Sequence, residues 1–197
     1  MDIQFKKLTP GLVDDFIRYF DEDAFSDHDD WKGCYCLESH LPWEENQKDI
    51  VDERITNIDE RREKARKLVL DGTMTGYLLY DGDRVIAWCN AGDKTGYRPV
   101  CEAEDLFGTD APEKGKVKIL YCIDIAPDYR GKGIANLIME RFLEDAKKEG
   151  YSYAEGYPFA EKENIVYQYK GPVRLYEKYG FERYADKDWF WIMRKTL

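Results

Sequence analysis

Residues 123–135 read IDIAPDYRGKGIA, and this stretch decides the fold. A β-prone apolar run, Val117 to Ile125, leads through the turn Ala126 to Arg130 into an amphipathic helix, Ile134 to Lys148. The two glycines allow a ligand to approach the backbone closely. The first N–H groups of the helix have no partner within it, and they lie at the positive end of its dipole. The stretch therefore predicts a phosphate or pyrophosphate site at the start of a helix.

Three kinds of nucleotide site place a phosphate at such a helix start, and their sequence patterns differ. A Walker loop requires G-x-x-x-x-G-K-[ST], which this stretch lacks. A Rossmann fingerprint requires G-x-G-x-x-G directly after the strand, whereas Asn136 takes the third position and the turn intervenes. The third site is for coenzyme A. The alternative without a ligand is that the glycines only relax the helix entry and that Arg130 is a solvated charge.

A second element lies downstream of a further strand. Residues 174–181 read RLYEKYGF, a short helix that ends at Gly180. Together with residues 123–135, it resembles the GNAT superfamily of acyl-CoA N-acyltransferases, which pairs an R/Q-x-x-G-x-G/A loop with an L-Y-x-x-x-G-F helix. The residues that match the two patterns are Arg130, Gly133 and Ala135 in the loop, and Leu175, Tyr176, Gly180 and Phe181 in the helix.

The resemblance implies an α/β fold in a single domain over residues 1–197. It implies a mixed, mostly antiparallel twisted sheet of about seven strands with four helices, and acyl-CoA in the crevice between two central parallel strands. The residues give the same order of elements. Apolar periodicity and turn signals predict strands over 3–7, 76–80, 84–89, 117–125, 151–157, 181–184 and 189–195, and helices over 10–20, 48–70, 134–148 and 172–178.

The resemblance also implies site residues. The strand at Ile123 and Ile125 offers its backbone to the pantetheine arm, and one of its N–H groups helps to hold the oxyanion. The cofactor loop comprises Arg130, Gly131, Lys132, Gly133, Ile134 and Ala135. Many members carry an asparagine where this chain has Tyr169, so the contact with pantetheine differs here.

Tyr176 is the predicted catalytic residue, a general acid for the departing thiolate. A free phenol has a pKa of about 10 and a simple thiol about 8.5, so the phenol is a weak but workable donor. The alternative is an aromatic side chain that packs on the core together with Val173. Base candidates are Asp124, Tyr121, Glu155 or a chain of waters, and none is preferred.

The implied function is transfer of an acetyl group from acetyl-CoA to a primary amine by direct attack in a ternary complex. The acceptor is a small-molecule or peptide amine. The alternative on the same fold is a non-catalytic module that binds or senses acyl-CoA. A nicotinamide dehydrogenase is the alternative on another fold.

Charge and hydropathy restrict the partners. The formal net charge of −10 argues against a nucleic-acid partner and suits a cationic small molecule or a basic peptide. An apolar run long enough for a membrane span is lacking, and so is a signal peptide at the N-terminus, so a cytoplasmic protein is expected. A homodimer is left open beside a monomer.

The segment from Trp31 to Trp43 contains the motif Cys34-Tyr35-Cys36. One C-x-C pair with the scattered His28 and His40 is a poor zinc pattern, so no metal is expected. In the GNAT superfamily the corresponding region shapes the acceptor site. We therefore expect Trp31, Tyr35 and the carboxylates of residues 21–30 to recognise a cationic amine, with a solvated acidic loop as the alternative.

Overall fold

The structure, a computed structural model, describes residues 2–45, 57–103, 115–160 and 168–197. In these ranges seven strands form one sheet: β1 (Ile3–Lys7), β2 (Gly76–Asp81), β3 (Arg84–Asp93), β4 (Val117–Ile125), β5 (Tyr153–Gly156), β6 (Glu182–Asp186) and β7 (Trp191–Thr196). Their order is β1-β2-β3-β4-β5-β7-β6. Only β4 and β5 run parallel, and the other neighbours are antiparallel. The predicted mixed, mostly antiparallel sheet is confirmed.

The helices are more numerous than the four that were predicted. The described ranges hold α1 (Val13–Arg18), α2 (Ile58–Leu70), α3 (Arg98–Glu102), α4 (Ile134–Lys148) and α5 (Val173–Lys178). Residues 43–45 are helical as well. The first part of the predicted helix over 48–70 lies outside the described residues.

Helix α3 and the end of β3 fall where the sequence predicts a loop from Gly92 to Gly115. Pro99 suggested the loop, but it lies in the first turn of α3, where proline costs no hydrogen bond. Strand β3 extends to Asp93 because β4 is long enough to pair with it there. Residues 104–114 of that predicted loop lie outside the described residues.

Helices cover both faces of the sheet. Side chains alternate along β2, so that Leu78 and Tyr80 join the core beneath α1 and α2, whereas Tyr77 and Leu79 join the core beneath α4 and α5. With both faces buried, the central strands are apolar almost throughout, as a sheet between two helical layers requires.

A crevice opens halfway along β4. In its pairing with β3, Tyr121 is an extra residue, because Asn90 lies opposite Cys122 while Ala91 lies opposite Leu120. The pairing with β5 ends at Leu120, although β4 continues to Ile125. A bulge bends its strand and increases the twist, so the two parallel strands diverge from this point. The predicted crevice between two central parallel strands is confirmed.

Candidate active site

The crevice forms the floor of a cavity of about 600 Å³. One end is lined by the loop before α4 and by the start of α5, and the other by the segment that contains Phe25, Trp31 and Cys36. Ile123, Asp124 and other residues of the diverging end of β4 line it between these ends. The cavity therefore joins the predicted phosphate loop to the predicted acceptor region.

The phosphate loop has the conformation that an anion site requires. Gly131 and Gly133 have φ values of +74° and +84°, which residues with a Cβ rarely adopt. The first helical hydrogen bond of α4 runs from the N–H of Asn136 to the carbonyl of Gly133. The N–H groups that precede Asn136 thus lie at the positive end of a 15-residue helix, beside the cavity.

The two basic residues of this loop differ in their position relative to the cavity: Arg130 lines it and Lys132 does not. The Arg130 guanidinium lines the cavity, yet it donates 2.9 Å to the carbonyl of Ile125 and 2.6 Å to Asp27. It therefore holds the loop against β4. The Lys132 ammonium lies 4.9 Å from the ring centroid of Tyr129, and Lys132 is not among the described residues that line the cavity. Of the eight predicted cofactor residues, the other seven line it.

Positive charge comes from helix α5, which motif matching did not identify. Arg174 and Lys178 line the cavity, one helical turn apart on the same side of α5. The Lys178 ammonium also donates 2.6 Å to the side chain of Asn136, beside the loop. The i, i+4 spacing of these two basic residues was the available signal.

The backbone of β4 forms hydrogen bonds within the chain at Ile123 and Ile125, the two positions predicted to contact the pantetheine arm. The N–H of Ile123 donates to the carbonyl of Tyr169 at 2.6 Å, and the carbonyl of Ile125 accepts from Arg130. Residues 168–171, which we call the crossing segment, thus lie against β4 beyond the end of β5. The aromatic ring of Tyr169 lines the cavity and lies 5.5 Å from the ring of Trp31.

Tyr176 is fully buried between this segment and β5. Its hydroxyl donates to the carbonyl of Lys170 at 2.6 Å. A Cβ at Gly156 would collide with its ring, so glycine is required there by space. Burial, with smaller contributions from Cys89 and Cys122, raises the pKa of Tyr176 well above its ordinary value. Among the described residues that line the cavity, its neighbour Leu175 is present and Tyr176 is not.

Asp124 is a buried carboxylate that lines the cavity. It is 8% exposed, and it accepts a hydrogen bond of 2.9 Å from the hydroxyl of Tyr19. Burial raises the pKa of Asp124 to about 7, although the hydrogen bond from Tyr19 and the charge of Arg130 act in the opposite direction. A carboxylate with such a pKa changes its protonation state at neutral pH.

Tyr19 was not predicted as a site residue. It begins a π-helical turn, Tyr19–Asp23, that continues α1, and such turns often occur at functional sites. It follows Phe16 by three residues, a spacing that does not distinguish a site residue from a core residue.

The other two base candidates are engaged elsewhere. Glu155 is fully buried and bonded to Lys94, Tyr157 and Arg194. Tyr121 lines the cavity, but its hydroxyl donates to Glu38 at 3.1 Å. Asp124 is thus the candidate whose carboxylate is both exposed to the cavity and titratable near neutral pH.

Comparisons with known proteins agree with this geometry. A family model described as an acetyltransferase (GNAT) domain matches residues 75–183. The matched range contains the diverging strands, the phosphate loop and helix α5. The chain belongs to the GNAT family of acetyltransferases. This membership confirms the resemblance seen in the sequence, and with it the use of acyl-CoA at the level of the family.

Individual GNAT relatives are distant. An uncharacterized N-acetyltransferase from Methanocaldococcus jannaschii is 30% identical over 84 residues, which cover 42% of this chain and 34% of that protein. The match thus spans about a third of the length of that relative. The fold resembles PaiA N-acetyltransferase from Thermoplasma acidophilum, solved with coenzyme A (16% identity, all of both chains, TM-score 0.58). It also resembles yncA from Salmonella typhimurium, solved with acetyl-CoA (13% identity, 100% of this chain and 95% of that one, TM-score 0.54).

The end of the cavity where the acceptor is expected is aromatic. Trp31, Phe25, His28 and Tyr169 line it, with Trp31 in contact with the other three rings. Tyr35, which was expected beside Trp31, is instead 1% exposed in the core, and its hydroxyl donates to Asp21.

The acidic loop is largely paired with basic side chains. Ion pairs join Asp21 to Arg62, Asp23 to Arg84, Asp27 to Arg130 and Asp29 to Lys32. None of the carboxylates of residues 21–30, all of which the structure describes, lines the cavity. The expected attraction of this loop for a cationic amine is therefore reduced.

The residues behind the zinc alternative lie in different surroundings. Cys34 and Cys36 line the cavity, whereas the buried His40 packs 5.4 Å from the ring of Tyr97. Burial lowers the pKa of His40 to about 4, so it is neutral. In the part of the chain that the structure describes, no three His, Cys, Asp or Glu side chains form a group that could hold a metal ion. No helix there is long and apolar enough to cross a membrane.

Proposed function

We propose that this GNAT protein transfers an acetyl group from acetyl-CoA to a primary amine by direct attack in a ternary complex. The observation that carries the proposal is a single cavity that joins a helix N-terminus for phosphate to a carboxylate with a pKa of about 7. A positioned thioester and amine react without a covalent enzyme intermediate, because holding the reactants together removes much of the entropic barrier.

The residues that line the cavity suggest one orientation for acetyl-CoA, with its pyrophosphate at the start of α4 and its pantetheine arm along β4. The N–H groups before Asn136, with Arg174 and Lys178, would hold the pyrophosphate. The pantetheine arm would follow β4 past Ile125 to Ile123. The N–H of Ile123 would then exchange its bond with Tyr169 for a bond to the cofactor, and the crossing segment would shift.

Asp124 is proposed as the general base. An ammonium with a pKa of about 10.4 must lose its proton before attack, and transfer to a group of pKa about 7 costs roughly 4–5 kcal/mol. A general base typically contributes about 10²–10⁴ in rate. Tyr19 orients the carboxylate through their hydrogen bond.

Tyr176 is proposed as the proton donor to the CoA thiolate. Its hydroxyl bonds to Lys170 in the same crossing segment that bonds to Ile123 through Tyr169. Displacement of this segment by the cofactor would open both bonds and release the phenol. We extend the proposal to an acceptor that is a small-molecule or peptide amine, to a single domain over residues 1–197, and to action in the cytoplasm.

The proposal is tested by thermal shift and by turnover. Acetyl-CoA should raise the melting temperature, since a ligand that binds only the folded state stabilises it, and NAD(P) should not. An amine panel that includes polyamines, amino acids and peptides is then screened for thiol release from acetyl-CoA. If acetyl-CoA gives no thermal shift, the cofactor assignment is wrong. Binding with no turnover of any amine would favour the non-catalytic module instead.

A further inference from the structure

Two thiols lie side by side in the cavity, and the proposed transfer to an amine uses neither. Cys36 precedes a short 3₁₀ helix, and Cys122 is on β4 beside Ile123. Both are buried, with 4% and 8% exposure, and both line the cavity. Cys122 lies opposite Asn90, whose side chain contacts the Cys36 sulfur, so the two thiols are near each other. Cys36 is therefore close to the strand along which the acyl-CoA arm is proposed to lie.

Asn90 presents a fixed N–H to the Cys36 sulfur. It lies opposite Cys122 in the pairing of β3 with β4, and its Nδ2 is 3.0 Å from Cys36 Sγ. The same Nδ2 lies 2.8 Å from Ser39 Oγ, which donates its own proton to the carbonyl of Cys36. Ser39 Oγ must therefore accept from Asn90. The amide oxygen of Asn90 accepts from Tyr97 at 2.7 Å, which leaves the second N–H for the sulfur.

A second side-chain donor lies near the same sulfur. The indole of Trp88 is fully buried, and among the described residues its N–H has no acceptor within hydrogen-bond distance. Trp88 lies two residues before Asn90, on the same face of β3, and belongs to the same buried cluster as Cys36. A buried donor without a partner is costly, so a site that develops negative charge beside Trp88 would use it.

A nearby ammonium adds positive charge. Lys170 Nζ lies 3.3 Å from the ring centroid of Tyr121 and 3.7 Å from a carboxylate oxygen of Glu38. Burial would raise the pKa of Cys36, yet Cys122, Asn90, Trp88 and Lys170 together hold it below its ordinary value. The pKa of Cys122 is well above its ordinary value, chiefly because of the neighbouring Cys36 and also because of burial. Of the two thiols, Cys36 is thus the more acidic and the better nucleophile.

We propose that Cys36 is a second acyl acceptor in this cavity and forms a protein thioester with the acyl group of acyl-CoA. This inference rests on the proposed use of acyl-CoA. A bond forms between Cys36 Sγ and the acyl carbon, and the bond from that carbon to the CoA sulfur breaks with its electron pair. The proton of the Cys36 thiol ends on CoA. One thioester replaces another, so the step needs no oxidant, reductant or further reactant.

The test is intact-mass analysis of the wild-type protein after incubation with acetyl-CoA in the absence of an amine. We expect the mass of one acetyl group to be added. Neutral hydroxylamine should remove it, because it cleaves a thioester and leaves an amide intact. Peptide mapping of the unsubstituted protein should place the acetyl group on Cys36. A matched control is Cys101→Ser, which removes an exposed thiol and should keep the adduct.

Three outcomes would overturn this inference. The first is no adduct on a protein that acetyl-CoA stabilises and that acetylates amines, in which case the proposed function survives alone. The second is an adduct that resists hydroxylamine, as acetyl-lysine would. The third is a full adduct in Cys36→Ser with an unchanged melting temperature. Absence of any acetyl-CoA binding would overturn both proposals together.

Discussion

The backbone N–H of Ile123 donates to the carbonyl oxygen of Tyr169 at 2.6 Å. This bond joins the free end of β4 to the crossing segment, where β5 no longer pairs with it. The next residue, Lys170, accepts from the hydroxyl of Tyr176. The Ile123 N–H, which is proposed to bind the cofactor, is thus bonded to Tyr169, and the Tyr176 hydroxyl is bonded to the adjacent Lys170. A displacement of the crossing segment would therefore break both bonds.

Tyr176→Phe should lower kcat by about 10²–10⁴, because it removes the proposed proton donor. The affinity for CoA should not fall, since the phenol does not line the cavity and its bond to Lys170 holds the segment that the cofactor displaces. Steady-state kinetics and a CoA titration measure the two effects. Tyr179→Phe is the matched control. Tyr179 is three residues further along the chain, and its hydroxyl bonds to Glu140 outside the cavity. An equal loss of kcat in both variants would contradict the assignment of Tyr176 as the proton donor.

Asp124→Asn should lower kcat/KM by about 10²–10⁴. In the wild type, kcat/KM should rise with pH through about 7, because the carboxylate must be ionised to accept a proton. The variant should lose this limb of the profile. The control Asp128→Asn changes an exposed carboxylate that binds Arg84. A pH profile that is unchanged in Asp124→Asn would exclude this base.

Tyr19→Phe should move the rise of kcat/KM with pH, which we assign to Asp124, to higher pH. The hydrogen bond from Tyr19 favours the ionised carboxylate and lowers the pKa of Asp124, so its loss raises that pKa. The matched control is Tyr80→Phe, which removes a hydroxyl bonded to Asp15 away from the cavity. A limb that stays in place, with Tyr19→Phe folded, would mean that Tyr19 does not act on Asp124.

Asp124 also makes stability depend on pH. Its folded pKa of about 7 lies above the ordinary value of 3.8, so the folded state binds more protons than the unfolded state between these values. The free energy of unfolding should therefore fall as pH rises from about 4 to 7. Urea unfolding of the wild type and Asp124→Asn should show a smaller fall in the variant. Equal slopes would contradict the raised pKa.

Glu155→Gln should destabilise the fold by about 3–5 kcal/mol, because it leaves the buried Lys94 and the partly buried Arg194 without their counter-ion. Glu155 is fully buried between Lys94, at 2.9 Å, and Arg194, at 2.5 Å. Glu102→Gln is the control, since Glu102 and its partner Arg98 are both exposed. Denaturant unfolding compares them. A stable variant with lost turnover would point to a catalytic role for Glu155 instead.

Local features of the fold were predictable from the sequence. The strands and helix α4 follow from hydrophobic periodicity, and Gly133 marks a positive φ at the start of α4. Helix α3 was missed because Pro99 suggested a loop. The match of Leu175 and Tyr176 to a family motif identified α5, but a motif specifies residue types and not the direction of a hydroxyl group.

By itself, the sequence determined the order of the strands and of the longer helices, the phosphate loop and the GNAT family, because these depend on residues close together along the chain. Only the tertiary structure decided which side chains meet in the cavity. Tyr19 reaches Asp124 across 105 positions, and Asn90 reaches Cys36 across 54. Such contacts arise from strand register, the bulge at Tyr121 and packing between layers, and no local pattern of residues encodes them.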